Sequence, residues 1–383
     1  MENEDWKSLA AQLRKECLEP IKQTLIGKDE IIEVLGVALV AGENVFLLGP
    51  PGTAKSALVQ ELAARLSGRS FDYLLTRFTE PSELFGPFDL RRLRDGDLVT
   101  NTEGMLPEAD FVFLDEIMNA NSAVLNSLLL TLNERIFRRG RETQPLPMLL
   151  AIGASNRLPE DDALAALYDR FLFRVTCENV EEQQLAEVLR AGWKREHSDT
   201  SQTQIQIEGI RKLQQALRDV SLAQTQTAYL DLISRLRDAG LAISDRRAVK
   251  LQRAIAASAI VCGRQVAQVS DLWVLRYIWE TPAQAEMLAA QVDLVVNEYS
   301  EEAQESDRHP LADVPHGPDP EKLAEAIRAL ETDSKAESVH RSAILDNLTL
   351  LSARIEWVQV AESREHLRTQ VAELRASIEE NAA

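Results

Sequence analysis

The chain has 383 residues, 45% of them hydrophobic and 27% charged, which supplies apolar material for two or three domains and excludes both a small stapled fold and global disorder. Its formal charge of −19, from 42 Lys and Arg against 61 Asp and Glu, argues against unassisted binding to nucleic acid or an anionic membrane. The longest apolar runs, 34–41 and 148–154, fall far short of the ~20 residues of a membrane span; the acidic start Met1-Glu2-Asn3-Glu4-Asp5 has no secretory pattern; and Cys17, Cys177 and Cys262 fit no disulfide or paired-metal spacing, so the chain reads as cytoplasmic.

Up to residue 178, short apolar runs alternate with turns and helical stretches, as in a wound α/β domain. Segments 45–48, 71–75, 111–114, 148–153 and 171–175 are predicted as strands buried on both faces, with helices over 55–66 and 123–133 among the connections. Right-handed crossovers would make them one mostly parallel sheet with helices on both faces.

Directly after the first strand comes Gly49-Pro50-Pro51-Gly52-Thr53-Ala54-Lys55-Ser56, followed by Ala57, where a helix should open. In that context a GxxxxGK[ST] pattern has a mechanism: backbone N–H groups and the helix N-terminus surround nucleotide phosphates. Lys55 would neutralise the β and γ phosphates of ATP, and the Ser56 hydroxyl would ligate Mg²⁺. Ala54 stands where the pattern has glycine, which is tolerated if φ is negative there.

Between the second and third strands, Phe88-Asp89-Leu90 and Leu98-Val99-Thr100 flank Arg94-Asp95-Gly96-Asp97, a turn suited to a hairpin. The third strand ends in Asp115 and Glu116, the Walker B form, in which Asp115 would hold the Mg²⁺ shell and Glu116 would polarise the attacking water. Arg135 and Ile136-Phe137-Arg138-Arg139-Gly140-Arg141 make the densest basic cluster, either a solvated hairpin tip or a surface facing a pore or a neighbouring subunit.

Residues 179–299 read as helices alone, with Leu213, Leu217, Val220, Leu232 and Leu236 at helical spacing. Pro310, Pro315, Pro318 and Pro320 give 300–320 the composition of a linker. Beyond it, Ile344, Leu348, Leu351, Ile355 and Val358, then Leu367, Val371, Leu374 and Ile378 in a shifted phase, suggest packed helices. Those stripes must be buried on one another, on the rest of the molecule or on a docked partner. Residues 301–383 carry 9 Lys and Arg against 18 Asp and Glu. His197, His309, His316, His340 and His366 all fall outside the expected core without ligand spacing, which argues against a transition-metal site.

The ordered motifs resemble those of AAA+ ATPases, and within them the MoxR family close to its RavA branch, over about 26–264. The resemblance implies an AAA+ P-loop NTPase core, a parallel five-stranded sheet with helices on both faces, within 1–178. An all-helical lid over 179–299, a linker over 300–320 and a coiled-coil-like helical module over 321–383 would follow. Carried over residue by residue, Ile26 and Gly27 resemble the strap on the adenine, Asn156 resembles sensor 1 and Arg170 the arginine finger. Arg246, with Arg247 as the adjacent alternative, resembles sensor 2. The stretch 76–110 resembles the helix-2 insert, and the basic cluster resembles the pre-sensor-1 hairpin. The implied activity is Mg²⁺-dependent ATP hydrolysis by a homo-oligomeric ring, a hexamer, that remodels or matures a client protein with a von Willebrand factor A domain partner. Two other readings stand beside it: a nucleic-acid motor, opposed by the acidic balance, and a nucleotide-gated scaffold, opposed by Glu116 and Arg170.

Overall fold

The computed structural model describes residues 5–89, 91–92, 99–139, 142–197, 204–300, 307–314, 317–334, 341–358 and 360–380. The chain begins with α1 (Asp5–Gln12), a π-helical turn (Leu13–Leu18), α2 (Glu19–Thr24) and α3 (Asp29–Ala41). α3 is buried continuously from Ile31 to Ala41. It is apolar all round, as a helix packed on several sides must be, and Gly42 ends it in the left-handed region at φ +68°.

Among the described residues seven strands follow: β1 (Val45–Leu48), β2 (Ser70–Leu74), β3 (Phe111–Asp115), β4 (Ile136–Arg139), β5 (Glu142–Pro145), β6 (Leu150–Ser155) and β7 (Phe173–Thr176). Five of them form one parallel sheet in the order β2-β3-β6-β1-β7, and β4 and β5 make a separate antiparallel hairpin. The sheet is the expected one, with edges displaced: the strand expected at 148–153 runs Leu150–Ser155, and the one expected at 171–175 runs Phe173–Thr176. Phe171 and Leu172 are buried without joining the ladder, so apolar character alone overstated that strand. Successive side chains serve opposite faces: Val45 and Leu47 enter one core and Phe46 the other.

Helices α4 (Lys55–Ala64), α5 (Pro81–Phe85), α6 (Ser122–Glu134) and α7 (Asp162–Tyr168) connect the strands. The Asn121 side chain caps α6, accepting from the Ala123 and Val124 N–H groups at 3.1 Å. Phe88 and Thr100 form an antiparallel bridge. The hairpin turn expected at Arg94-Asp95-Gly96-Asp97 lies outside the described residues, as do Gly140 and Arg141 of the basic cluster.

The lid comprises α8 (Leu185–His197), α9 (Ile207–Ala216), α10 (Gln226–Asp238), α11 (Asp245–Val261), a 3₁₀ stretch (Val269–Tyr277) and α12 (Pro282–Ser300). Its core is continuous with α1, α3 and one face of the sheet. It is fastened to β7 and α7 through polar groups. Buried Arg174 of β7 donates to the carbonyls of Trp279 (2.7 Å) and Ile278 (3.4 Å), with its guanidinium 4.2 Å from the Tyr168 ring, and Tyr168 Oη donates to the Glu280 carbonyl at 3.1 Å. Burial lowers the Arg174 pKa to about 10, still far above neutral pH.

Residues 307–314, part of the stretch read as a linker, pack against the lid. His309 is fully buried and stacks on Trp273 with ring centroids 4.2 Å apart. The placing of all five histidines outside the core is therefore corrected for His309, which a proline-rich composition had hidden. Arg276 donates to the carbonyls of Leu311 (2.6 Å) and Ala312 (3.4 Å). Helices α13 (Pro320–Ser334), α14 (Arg341–Ile355) and α15 (Ala361–Glu380) then form a bundle with its own core, in which Leu323, Ile327, Leu348, Ile355, Leu367 and Val371 are buried. The tail stripes are spent on one another.

Candidate nucleotide-binding site

Between the end of β1 and the start of α4 the loop is fixed by its carbonyls. Gly49 N–H donates to the Ser155 carbonyl of β6 at 3.0 Å, and Thr53 Oγ1 donates to the Pro50 carbonyl at 2.9 Å. The Cys177 thiol reaches the Thr53 carbonyl at 3.1 Å. Gly49 is required sterically, since a Cβ there would lie 2.0 Å from the Cys177 carbonyl oxygen. Gly52, at φ +83°, faces open space. Ala54 has φ +67°, so the condition under which alanine would be tolerated fails: the residue sits in the left-handed region that glycine occupies freely and an L side chain at a cost.

Lys55 is buried, and its Nζ donates to the loop's own carbonyls at Gly49 (2.6 Å) and Pro50 (2.9 Å). The ammonium is thus stored at the mouth of the loop with a third proton to give. Ser56 and Ala57 follow it in the first turn of α4, both half-buried.

Because the strands are parallel, their C-terminal ends collect on one edge, where ligands bind in open α/β sheets. Asp115 ends β3, Asn156 follows β6 and the loop follows β1, so the order β3-β6-β1 places Asn156 between the acidic pair and the loop. Asn156 is exposed and Glu116 half-buried. Glu116 has φ +50°, and its N–H donates to Asp115 Oδ1 at 2.9 Å. The chain turns there at once from β3 into a 3₁₀ turn (Ile117–Asn119), and this strained backbone is of the kind found where a side chain must be aimed.

Several contributors at this edge were not singled out in the sequence. Asp72 of β2 has its pKa raised by burial and by neighbouring Asp115. Asn119 and Asn121 brace the segment after β2, Asn121 Nδ2 donating to the Thr79 carbonyl at 2.7 Å, and Arg157 donates to Asn119 Oδ1 at 2.8 Å. Polar residues just past strand ends were the available signal. On the other flank of the loop, Ile26 and Gly27 lead to Lys28, which donates to the Glu178 carbonyl, and a Cβ on Gly27 would meet Val180 at 2.7 Å.

Arg170 and Arg246 are elsewhere. The Arg170 carbonyl accepts from Asn44 Nδ2 at 2.8 Å, and Asn44 precedes β1, so Arg170 sits at the N-terminal edge of the sheet. It is paired with Asp169 at 3.4 Å. Arg246 opens α11 and donates to Asn133 Oδ1 at 2.9 Å, and Asn133, Arg170, Arg246, Arg247 and Lys250 line one cavity of about 80 Å³. Arg247 is drawn inward, donating to the Ile278 carbonyl at 2.8 Å and pairing with Glu280 at 3.5 Å. Nothing in the order of residues indicates that Arg246 and Arg170 share a site on the edge opposite the loop. Lid docking on α7 and β7 brings them together.

The donor set fits a nucleotide with a divalent cation. The loop has space at Gly52 and a stored ammonium at Lys55, and Asp72, whose pKa is raised by burial and by neighbouring Asp115, adds a carboxylate near the end of β3. Among the described residues no group of three His, Cys, Asp or Glu side chains could hold a metal alone. Mg²⁺ suits such a place because it is commonly held by one or two protein groups and substrate phosphates.

A loop, an acidic strand end and a polar strand end on one edge of a five-stranded parallel sheet, followed by a helical lid, define a P-loop ATPase of the AAA+ class. A family model described as the MoxR domain in the MoxR-vWA-beta-propeller ternary systems matches residues 11–215, and an AAA lid domain model matches residues 211–292. The chain belongs to the MoxR family of AAA+ ATPases. It is similar to two uncharacterised proteins of Methanocaldococcus jannaschii: one 35% identical over 292 residues, covering 74% of this chain and 76% of the relative, and one 34% identical over 290 residues, covering 74% and 77%. It is 29% identical over 175 residues to chaperone MoxR1 of Mycobacterium tuberculosis, covering 44% of this chain and 46% of the relative. A crystal structure of a Cytophaga hutchinsonii protein, 18% identical, shares the fold with a TM-score of 0.60 over 79% of this chain and 97% of that one. No helix among the described residues is long and apolar enough to cross a membrane.

Proposed function

We propose that this protein is an Mg²⁺-dependent ATPase that works as a homo-oligomeric ring, a hexamer, and couples hydrolysis to remodelling or maturation of a partner protein. The observation that carries the reading is the division of the chemical groups between opposite edges of the sheet. Lys55, Ser56, Asp115, Glu116 and Asn156 gather at one edge, and Arg170 and Arg246 at the other. A strand as short as β1 already spans about 13 Å, so Arg170 and Arg246 serve the nucleotide of an adjacent copy.

In this reading the backbone of 49–54 and the α4 N-terminus receive the phosphates, and Lys55 leaves its carbonyls to neutralise them. Ser56 and Asp115 would hold Mg²⁺, which when bound polarises the phosphoryl oxygens. Glu116 accepts a proton from the attacking water, and Asn156, both donor and acceptor, orients that water beside it. Ile26 and Gly27 cover the adenine. Arg170 and Arg246 supply positive charge to the transition state in the neighbouring site. Arg247, held by Ile278 and Glu280, keeps the lid in place.

The partner is a client handled with a von Willebrand factor A domain protein. The matched model is named for systems that combine a MoxR domain with a vWA protein, which supports this reading.

The test is a mixing experiment. Lys55→Ala should lose ATP binding, whereas Glu116→Gln should bind ATP and hydrolyse it about 10²-fold or more slowly. Arg170→Ala should bind ATP with little turnover alone, and mixing it with Lys55→Ala should restore activity, since Lys55→Ala copies carry an intact Arg170. Absence of recovery in confirmed mixed assemblies would refute action in trans.

A further inference from the structure

Hydrolysis as proposed needs the Asn156 amide and the Glu116 carboxylate to face one water, and the sheet alone does not hold them together. β3 and β6 pair only as far as Leu114 and Gly153, so both residues lie beyond the ladder that joins their strands. On its other flank β6 stays paired with β1 through Ser155, whose carbonyl also accepts from the Gly49 N–H at 3.0 Å. Backbone bonds therefore tie Asn156 to the phosphate loop, but not to Glu116.

Arg157 spans that gap. Its N–H donates to Ser155 Oγ at 3.2 Å, and its side chain turns toward the end of β3. There Nη2 donates to the Met118 carbonyl at 3.3 Å and to Asn119 Oδ1 at 2.8 Å. Nη1 donates to Glu160 Oε1 at 2.8 Å, which fixes the plane of the guanidinium. Met118 and Asn119 belong to the 3₁₀ turn that Glu116 opens, and the Asn119 N–H donates to the Glu116 carbonyl at 2.9 Å. One guanidinium, on the residue next to Asn156, thus grips the turn that carries Glu116. An arginine that needed only a counter-ion would be served by Glu160 alone, an exposed partner three residues away. The two further bonds, to a turn whose Met118 is buried, are what such a surface pair does not explain.

We infer that Arg157 is a positioning residue for hydrolysis: it locks the Glu116 turn to the Asn156 loop and so sets the separation of the two groups that handle the attacking water. This rests on the roles proposed for Glu116 and Asn156, and it adds what keeps them in register. Arg157 acts through its neighbours and not on the phosphates. A displacement of roughly 1 Å at a reacting centre can cost about 10²-fold in rate, whereas the phosphate loop keeps its own bonds. The loss therefore falls on turnover and not on affinity.

The experiment measures steady-state ATP hydrolysis by the full chain, together with affinity for a non-hydrolysable ATP analogue. Arg157→Ala should lower kcat about tenfold to 10²-fold and leave KM and analogue affinity within about twofold. Arg157→Lys keeps the charge but is shorter and lacks the planar fork, so it should keep most of the defect. In an Asn156→Ala background, Arg157→Ala should cost much less than it does alone, because residues that act as a unit are not additive. Equal losses in both backgrounds, full turnover in Arg157→Lys, or a loss of analogue affinity matching the loss of kcat would each overturn the inference. Should Arg157→Ala fail to fold, Asn119→Ala removes one of the two acceptors and carries the same test: slower turnover at unchanged analogue affinity supports the inference, and unchanged turnover overturns it. If Asn156→Ala itself turns over normally, the role proposed for Asn156 falls and the inference with it. If Asn156→Ala is slow and Arg157→Ala is not, the inference falls and that role stands.

Discussion

Ala54 shows how far a motif can be read without its backbone. The order of residue types from Gly49 to Ser56 marks the phosphate loop in the sequence alone, but whether alanine fits depends on the sign of φ, which is fixed by the way the loop meets α4. The value is +67°. An L residue there costs about 1–2 kcal/mol, and glycine returns about 0.4–1 kcal/mol of that as unfolded-state entropy. Ala54→Gly should therefore raise unfolding stability by up to about 1 kcal/mol in urea titration and keep ATP binding, while a β-branched Ala54→Val should destabilise the loop. A lower urea midpoint for Ala54→Gly would contradict the strain. Gly49 gives the converse case. A Cβ there lies 2.0 Å from the Cys177 carbonyl, a backbone atom that cannot swing aside. Gly49→Ala should cost about 3 kcal/mol or more, seen as a lowered melting temperature, and should abolish nucleotide binding. Glu116 was legible because two acids end an apolar strand. Asp72 was not, since one aspartate inside a short strand predicts nothing until the sheet order sets it beside β3.

At the scale of elements, the five strands were legible because each is a compact apolar run, whereas the docking of the lid was not. Helical periodicity says which face is buried and nothing about which edge of the sheet receives it. That choice is made by Arg174, Tyr168 and Arg247 binding the backbone of 278–280, and it carries Arg246 to Arg170. The junction of α3, the lid and 307–314 holds a second polar cluster missed in the sequence. His309 Nδ1 accepts from the Leu311 N–H at 3.2 Å, its Nε2 lies 3.0 Å from Glu33 Oε2, and Lys22 also reaches Glu33. Burial pushes the His309 pKa below the usual 6.5, opposed by Glu33 and reinforced by Arg14. Burial would raise Glu33, but His309 and Lys22 outweigh it and hold the carboxyl at about 2, against an ordinary 4.5. Both groups have folded pKa values below their unfolded ones, so the stability each contributes is present above the unfolded value and lost as pH falls toward the folded one. The melting temperature followed by tryptophan fluorescence should fall as pH drops below about 6.5, where the unfolded histidine gains its proton, and fall again below about 4.5. His309→Phe, which keeps a ring against Trp273 but cannot titrate, should flatten the first decline and also shrink the second, because Glu33 loses one of the two partners that hold its pKa down. A wild-type melting temperature unchanged between neutral pH and pH 5 would rule out the buried neutral histidine.

For the whole molecule, composition placed the linker where prolines cluster, and the structure divides that stretch by packing. His309, Leu311 and Ala312 belong to the lid, stacked on Trp273 and bound by Arg276, whereas α13 to α15 enclose a core of their own. Between bundle and body the described ion pairs are Lys322 with Glu181 at 3.0 Å and Arg354 with Glu286 at 2.5 Å. Exposed pairs of this kind contribute about 0–1 kcal/mol each and weaken with salt. The apolar stripes of the tail, already buried on one another, give no driving force for docking, so a partner would have to use its outer, acidic surface. Two truncations separate these roles. Ending the chain at Asp319 removes the bundle and should leave the melting temperature of the body, ATP turnover and assembly close to those of the full protein. Ending it at Ser300 also removes 307–314, exposing Trp273 and taking two carbonyl partners from buried Arg276. At about 1–3 kcal/mol for each buried group left unsatisfied, that chain should melt several degrees lower by calorimetry than the one ending at Asp319. If the two truncated chains melt together, 307–314 is a spacer after all. If the chain ending at Asp319 loses assembly, the bundle is a structural part of the ring rather than an appended module.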